Sequence, residues 1–202
     1  MIISPHEQGS AEWFAARTGI PTASNFSKIF TTAGKPASTR STYMLELVAE
    51  NAIGEKQDSF QSEWMKRGIE MEPEARKAFE FITDLQVTEC GLVLRDDELV
   101  GASPDGLIGD DAILELKAPK SSTHCGYLLS GDKVPSTYFA QVHGQMHICD
   151  RDVCYFASYF PALPVFIVRV ERDETIDKMI GGHLDKFITE MMEKRARLEQ
   201  MT

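Results

Sequence analysis

Apolar positions follow a helical period before Asp84 and a strand-like one after it. Upstream, "STYMLELVAENAIG" repeats its apolar residues at helix spacing and stops at Gly54, a residue suited to the left-handed turn that closes helices. "FQSEWMKRGIEMEPEARKAFEFITD" is predicted helical, with a break near Pro73, whose ring nitrogen cannot donate to the helix ladder. "IPTASNFSKIF" reads as a loop entering a short helix, with Thr22 or Ser24 available to cap its exposed amides. "GKPAST" reads as a loop.

Downstream, "QVTECGLVLRD", "ELVGAS", "AILELKA", "DVCYFASYF" and "VFIVRVER" are short segments rich in Val, Ile, Leu and aromatics, predicted as strands. "VPSTYFAQVHGQMHIC" is predicted as a helix with Pro135 near its first turn. The last stretch repeats Ile176, Met179, Ile180, Leu184, Phe187, Ile188 and Met191 at helix spacing, with Gly181 and Gly182 expected to mark a bend. Helices, a strand meander, a helix, a strand pair and a closing helix give an α/β domain with a mixed central sheet. No repeat or Pro/Ser linker divides the chain, so one domain over 1–202 is expected.

Composition changes this picture little: 43% hydrophobic and 26% charged residues are ordinary for a globular protein of 202 residues. No apolar run is long enough for a membrane span, and the first fifteen residues lack a signal-type apolar core, so a soluble cytoplasmic protein is expected. The four cysteines form no CxxC pair and are expected as reduced thiols. A net charge of -10 excludes a broadly basic surface. Yet from Trp13 to Leu45 the basic residues Arg17, Lys28, Lys35 and Arg40 meet no acid in sequence, which marks a candidate phosphate-facing surface.

The chemistry concentrates in "SPDGLIGDDAILELKAP", residues 103–119. Strand alternation sends Ala112, Leu114, Leu116 and Ala118 to one face and Ile113, Glu115 and Lys117 to the other. One face is expected in the core, the other to carry charge. Asp105, in a "PDG" turn, would be brought beside Glu115 by a hairpin, and two carboxylates at a sheet end are relieved by a divalent cation. Lys117, one pleat along, would favour a deprotonated water and the charge of a phosphodiester under attack. The bland account is an exposed edge strand whose Glu and Lys form a weak surface pair contributing under about 1 kcal/mol. His143 and His147 stand four apart, but "HGQMH" lacks the glutamate of a zinc-protease helix, so a packed or groove position is expected for both.

"SPDG" followed by "LELKAP" resembles the PD-(D/E)xK nuclease superfamily, and within it the lambda exonuclease or YqaJ-type viral recombinase family. The resemblance extends through "EWFAARTGIPTASNFSKIF", "RGIEMEPEARKAFEF", "VTECGLVLRDDELVGASPDGL", "YFAQVHGQMHI", "YFASYFP" and "VERDE". It implies a restriction-endonuclease-like core with a mixed central β-sheet flanked by helices. It implies that Asp105, Glu115 and the main-chain carbonyl of Leu116 hold two magnesium ions, for which manganese can substitute. By the same resemblance Lys117 is the catalytic lysine, Glu72 a helix-borne acid assisting metal or water, and Arg17, Ser24, Ser103 and Gln141 the grip on a terminal 5′-phosphate. Trp13 and Asp96 match further family positions, as core and turn residues.

The implied activity is magnesium-dependent 5′ to 3′ digestion of one strand of linear double-stranded DNA, leaving a 3′ tail. The implied partners are two further copies in a ring-shaped homotrimer and a phage single-strand annealing protein, in a bacterial host cytoplasm. A structure-specific endonuclease of the same superfamily and a non-catalytic DNA-end binding module are the alternatives.

Overall fold

The computed structural model describes residues 1–55 and 63–201. From the N-terminus the chain forms β1 (Ile2–Ile3), α1 (Ala11–Ala16), a 3-10 helix (Ala23–Lys28), α2 (Arg40–Ile53) and α3 (Glu63–Thr83). There follow β2 (Val93–Leu94), β3 (Gly101–Ala102), β4 (Gly106–Ile108), β5 (Ala112–Lys117) and α4 (Ser121–Leu129). A second 3-10 turn (Ser136–Tyr138) leads into α5 (Phe139–Cys149), then β6 (Val153–Ser158), β7 (Phe166–Glu171) and α6 (Glu174–Glu199).

Strands β4-β5-β6-β7 form a mixed sheet in that order: β4 and β5 are antiparallel, β5 and β6 parallel, β6 and β7 antiparallel. A smaller antiparallel sheet joins β1, β2 and β3. The α/β architecture with a mixed central sheet is the expected one. No helix among the described residues is long and apolar enough to cross a membrane.

Both faces of β5 are covered, which corrects the expectation of one charged face. Ile113 packs with Phe26, Met146, Phe156, Ile180 and Phe187 on the side of α5 and α6. Leu114 and Leu116 pack with Ala75 and Phe79 of α3 on the other. Each fully buried phenylalanine in these clusters stabilises by about 1.5–3 kcal/mol. Glu115 is therefore on a central strand and only 1% exposed, which removes the account of Glu115 and Lys117 as a surface pair.

Several local expectations are corrected. Helix α3 runs unbroken through Pro73; the amide that proline lacks would have met the Ile69 carbonyl, and both residues face solvent, where that carbonyl is open to hydration. The stretch 60–62, expected at the start of this helix, lies outside the described residues. Thr22 stands at the cap position of the first 3-10 helix, but its hydroxyl makes no capping bond, because Arg17 donates to it instead. Helix α6 continues through Gly181 and Gly182 without interruption. The short elements β1, α1 and α4 carry too few periodic residues to be read from sequence.

The acid-free segment does not form one phosphate-facing surface. Arg40 forks onto Glu190 of α6 at 2.7 and 3.0 Å, and Lys28 lies 3.7 Å from Glu46. Glu190, distant in sequence, pairs with Arg40, and Glu46, the acid that ends the stretch, lies near Lys28.

Helix α6 is anchored at its start. Asp173 caps it, accepting from the amides of Thr175 and Ile176. Asp177 accepts from His147 Nδ1 at 2.9 Å and Arg172 Nε at 3.0 Å. Burial raises the Asp177 carboxyl, but the bonds from Arg172 and His147 outweigh it, so its pKa lies below the usual carboxylate range. A depressed pKa gives stability that is present above the unfolded carboxylate pKa and lost as pH falls through the folded one. Asp177→Asn is expected to lower the Tm at pH 7 by about 3 °C, the size of ~1 kcal/mol in a domain of this length. Scanning calorimetry from pH 7 downward checks this: the gap between variant and parent should close in strong acid.

Candidate active site

The β4–β5 hairpin assembles the acids. Its turn is at Gly109–Asp111, where Gly109 takes a φ of 52°, and Asp105 sits in the bend between β3 and β4. Gly106 serves a different need: a Cβ there would lie 2.1 Å from Val87 Cγ1, so only glycine lets β4 pass that side chain. Register pairs Gly106 with Leu114, which places Asp105 at the height of Glu115. The Asp105 amide donates to the Leu114 carbonyl at 2.9 Å, and Asp105 Oδ2 accepts from the Leu116 amide at 2.6 Å.

Glu115 is held from three directions. Lys117 Nζ and Gln141 Nε2, the latter at 2.6 Å, donate to its Oε1, while Gln145 Nε2 donates to Oε2 at 2.6 Å. Gln141 and Gln145 are one turn apart on α5. That helix lies close against the first 3-10 helix because residue 144 is glycine: a Cβ would meet the Phe26 ring at 2.4 Å.

Glu72 sits on α3 and accepts from Arg76 Nη2 at 2.7 Å. Arg76 also donates to Glu89 and to the Asp105 carbonyl, the latter at 3.3 Å. Two cations, Lys117 and Arg76, thus face the three carboxylates Glu72, Asp105 and Glu115. Burial, then the charge of Glu115, pushes the Asp105 carboxyl well above its ordinary value. Burial likewise raises Glu72. Burial would lower the Lys117 ammonium, but Glu115 and Asp105 outweigh it and hold it above its ordinary value. Glu72, Arg76, Asp105 and Lys117 line a cleft of about 940 Å³ that also takes in Trp13, Phe14 and Tyr138, and Glu115 lies buried behind them.

A second cluster opens on the same strand end. Arg17, at the C-cap of α1, donates to Ser103 Oγ at 3.2 Å and Thr22 Oγ1 at 3.3 Å, and its guanidinium lies 3.9 Å over the Trp13 ring. Trp13 Nε1 also donates to Ser103 Oγ at 3.2 Å, and Ser24 Oγ lies 3.4 Å from Thr22 Oγ1. Burial lowers the Arg17 pKa to about 10, which leaves it cationic at neutral pH. No carboxylate ion-pairs with it among the described residues.

The structure brings Asp105, Glu115 and Lys117 together, and Arg17, Ser24 and Ser103 together. Gln141 is directed at Glu115 rather than at Arg17, and at Leu116 the contact to Asp105 comes from the amide. Gln145, Arg76 and Thr22 were not read from sequence as members of the site; the spacing of Gln145 from Gln141 was the only signal. His147 bonds Asp177, and the His143 ring packs on that of Phe139 at a tilt of 53°, with centroids 4.6 Å apart. Asp96, exposed, pairs with the N-terminal ammonium. All four cysteines are free thiols.

Among the described residues no group of three His, Cys, Asp or Glu side chains gathers as a metal cage. The oxygen donors nevertheless suit a hard divalent cation: Glu115 is buried, Asp105 half-buried, the two repel each other, and a cation relieves that repulsion.

Fold and site together define a class: a mixed-sheet α/β domain with a carboxylate pair and a lysine at the end of its central strand. Residues 12–152 match the YqaJ-like viral recombinase domain, and the chain belongs to that family. It is 34% identical to an alkaline exonuclease of Laribacter hongkongensis, with a TM-score of 0.85 over 95% of this chain and 97% of that one. A second structure of that exonuclease, in complex with dAMP, superposes equally well, with a TM-score of 0.85 at 35% identity over the same shares of both chains. A phage-related exonuclease from Haemophilus somnus, 16% identical over 91% of this chain and 96% of its own, shares the fold with a TM-score of 0.69. An uncharacterised protein of Acanthamoeba polyphaga mimivirus is 27% identical over an alignment of 168 positions that covers 76% of this chain. The chain spans 29% of the length of that viral relative.

Proposed function

We propose that this protein is a DNA exonuclease that digests one strand of linear duplex in the 5′ to 3′ direction from a phosphorylated end, leaving a 3′ single-stranded tail. The observation that carries this reading is the convergence of Asp105, Glu115 and Lys117 at one strand end, with Asp105 and Lys117 lining an open cleft and Glu115 directly behind Lys117. The family, and the likeness to an exonuclease crystallised with dAMP, support DNA as the substrate class.

Asp105 and Glu115, joined by the Leu116 carbonyl and Glu72, would hold two magnesium ions, with manganese able to substitute. When bound, magnesium supplies Lewis acidity at the scissile phosphate and an activated water. Lys117 remains cationic and offsets negative charge developing on the phosphate. Arg17, with the Ser103 and Thr22 hydroxyls and Ser24 beside them, provides fork and hydroxyl donors for the terminal 5′-phosphate. Trp13 backs the Arg17 guanidinium and fixes its plane. A ring-shaped homotrimer threaded by DNA fits a chain of net charge -10, since topology rather than phosphate neutralisation would retain the duplex. The tail would pass to a phage single-strand annealing protein.

The test is a digestion assay on linear duplexes ending in 5′-phosphate or 5′-hydroxyl and on covalently closed circles, with and without magnesium. The 5′-phosphorylated strand should shorten, only with magnesium, and the circle should survive. Shortening of the opposite strand, or nicking of the circle, would overturn the reading.

A further inference from the structure

Among the groups that hold Glu115, Gln145 stands apart. It is 1% exposed and is the donor to Glu115 Oε2, whereas Lys117 and Gln141 share Oε1 and are only partly buried. Resting on the reading of Asp105 and Glu115 as a cation site, we propose that Gln145 is a positioning residue that fixes the Glu115 carboxylate in its cation-binding orientation.

The amide is oriented at a cost. Gln145 Oε1 is buried with no donor among the described residues. Turning the amide over would aim that oxygen at Glu115 Oε2 and set two acceptors face to face, so the carboxylate dictates the orientation. A carboxylate free to rotate about its last torsion offers its oxygens in many directions, whereas one bonded at Oε2 presents Oε1 in a single direction. The Oε1 side is the exchangeable one, because Lys117, one of its two donors, lines the cleft from which a cation arrives.

Gln145 also reaches the second cluster. Its Nε2 lies 3.4 Å from the Ser103 carbonyl, and the Ser103 hydroxyl accepts from Arg17 and Trp13. One amide therefore spans the carboxylate pair and the hydroxyl–guanidinium cluster, and the packing of Gly144 on Phe26 keeps its helix from shifting.

Calorimetric titration of magnesium into the full chain tests the proposal, with Gln145→Met, of similar volume but no donor, and Gln145→Asn, whose amide falls short by one methylene. Both variants should bind magnesium about 10- to 100-fold more weakly than the parent. Their reduced kcat at low magnesium should recover as magnesium is raised. A merely structural role would lower the Tm and leave the magnesium affinity as it was. Should Gln145→Met lose its cooperative thermal transition, Gln145→Asn decides the matter. Parent-like magnesium affinity in the folded variants overturns the proposal while leaving the cation site standing. Absence of magnesium uptake by the parent overturns both.

Discussion

Lys117→Met is expected to lower kcat on linear 5′-phosphorylated duplex by about 10²- to 10³-fold, the loss typical when one preorganised charge is removed from a reacting centre. The side chain keeps its length and loses its charge. Glu115 and Asp105 hold the ammonium above its ordinary pKa, so the expected loss is that of a positive charge. Removing one partner of a fully buried ion pair often costs 3–5 kcal/mol. Here the cost should be nearer ~1 kcal/mol, since Lys117 is one quarter exposed and Gln141 and Gln145 still satisfy both Glu115 oxygens. Single-turnover kinetics with a parallel thermal scan check both halves: a large fall in rate beside a small fall in Tm. A variant that digests at the parent rate would remove Lys117 from the chemistry.

Arg17→Met is expected to erase the distinction between phosphorylated and hydroxyl ends. Arg17 faces the Ser103 and Thr22 hydroxyls, and a terminal phosphate would take two parallel charge-assisted bonds from its guanidinium. Such bonds contribute roughly 1.5–3 kcal/mol, so kcat/KM on 5′-phosphate ends should fall by about 10- to 100-fold. The value on 5′-hydroxyl ends should stay near that of the parent, because that end has no phosphate to lose. Competition between the two duplexes, labelled differently in one reaction, measures the ratio directly. An unchanged ratio would separate Arg17 from end recognition.

The carboxylate pair was legible because hairpin register and strand alternation are both fixed by local sequence: Asp105 precedes a short strand and Glu115 lies across its turn. Recognition of the family added Glu72, Arg17 and Ser103, which no local spacing could connect. Gln145 was not assigned a role, because the side of α5 that meets Glu115 depends on the approach allowed by Gly144 and Phe26, a contact 118 positions apart by their residue numbers. Arg76 was missed for a similar reason: its partners Glu89 and Asp105 come from different segments. The acid-free stretch misled because local charge says nothing about which distant acids fold onto it, and Glu190 folds onto Arg40. The helix through Pro73 misled because a proline on a solvent face costs one hydrogen bond, at a carbonyl open to hydration.

Soaking crystals of the protein in manganese and recording its anomalous scattering would probe the carboxylate pair itself, without recourse to turnover. The account predicts anomalous density in contact with the side chains of both Asp105 and Glu115, absent in the Asp105→Asn variant. Density elsewhere, or density that persists unchanged in that variant, would contradict it.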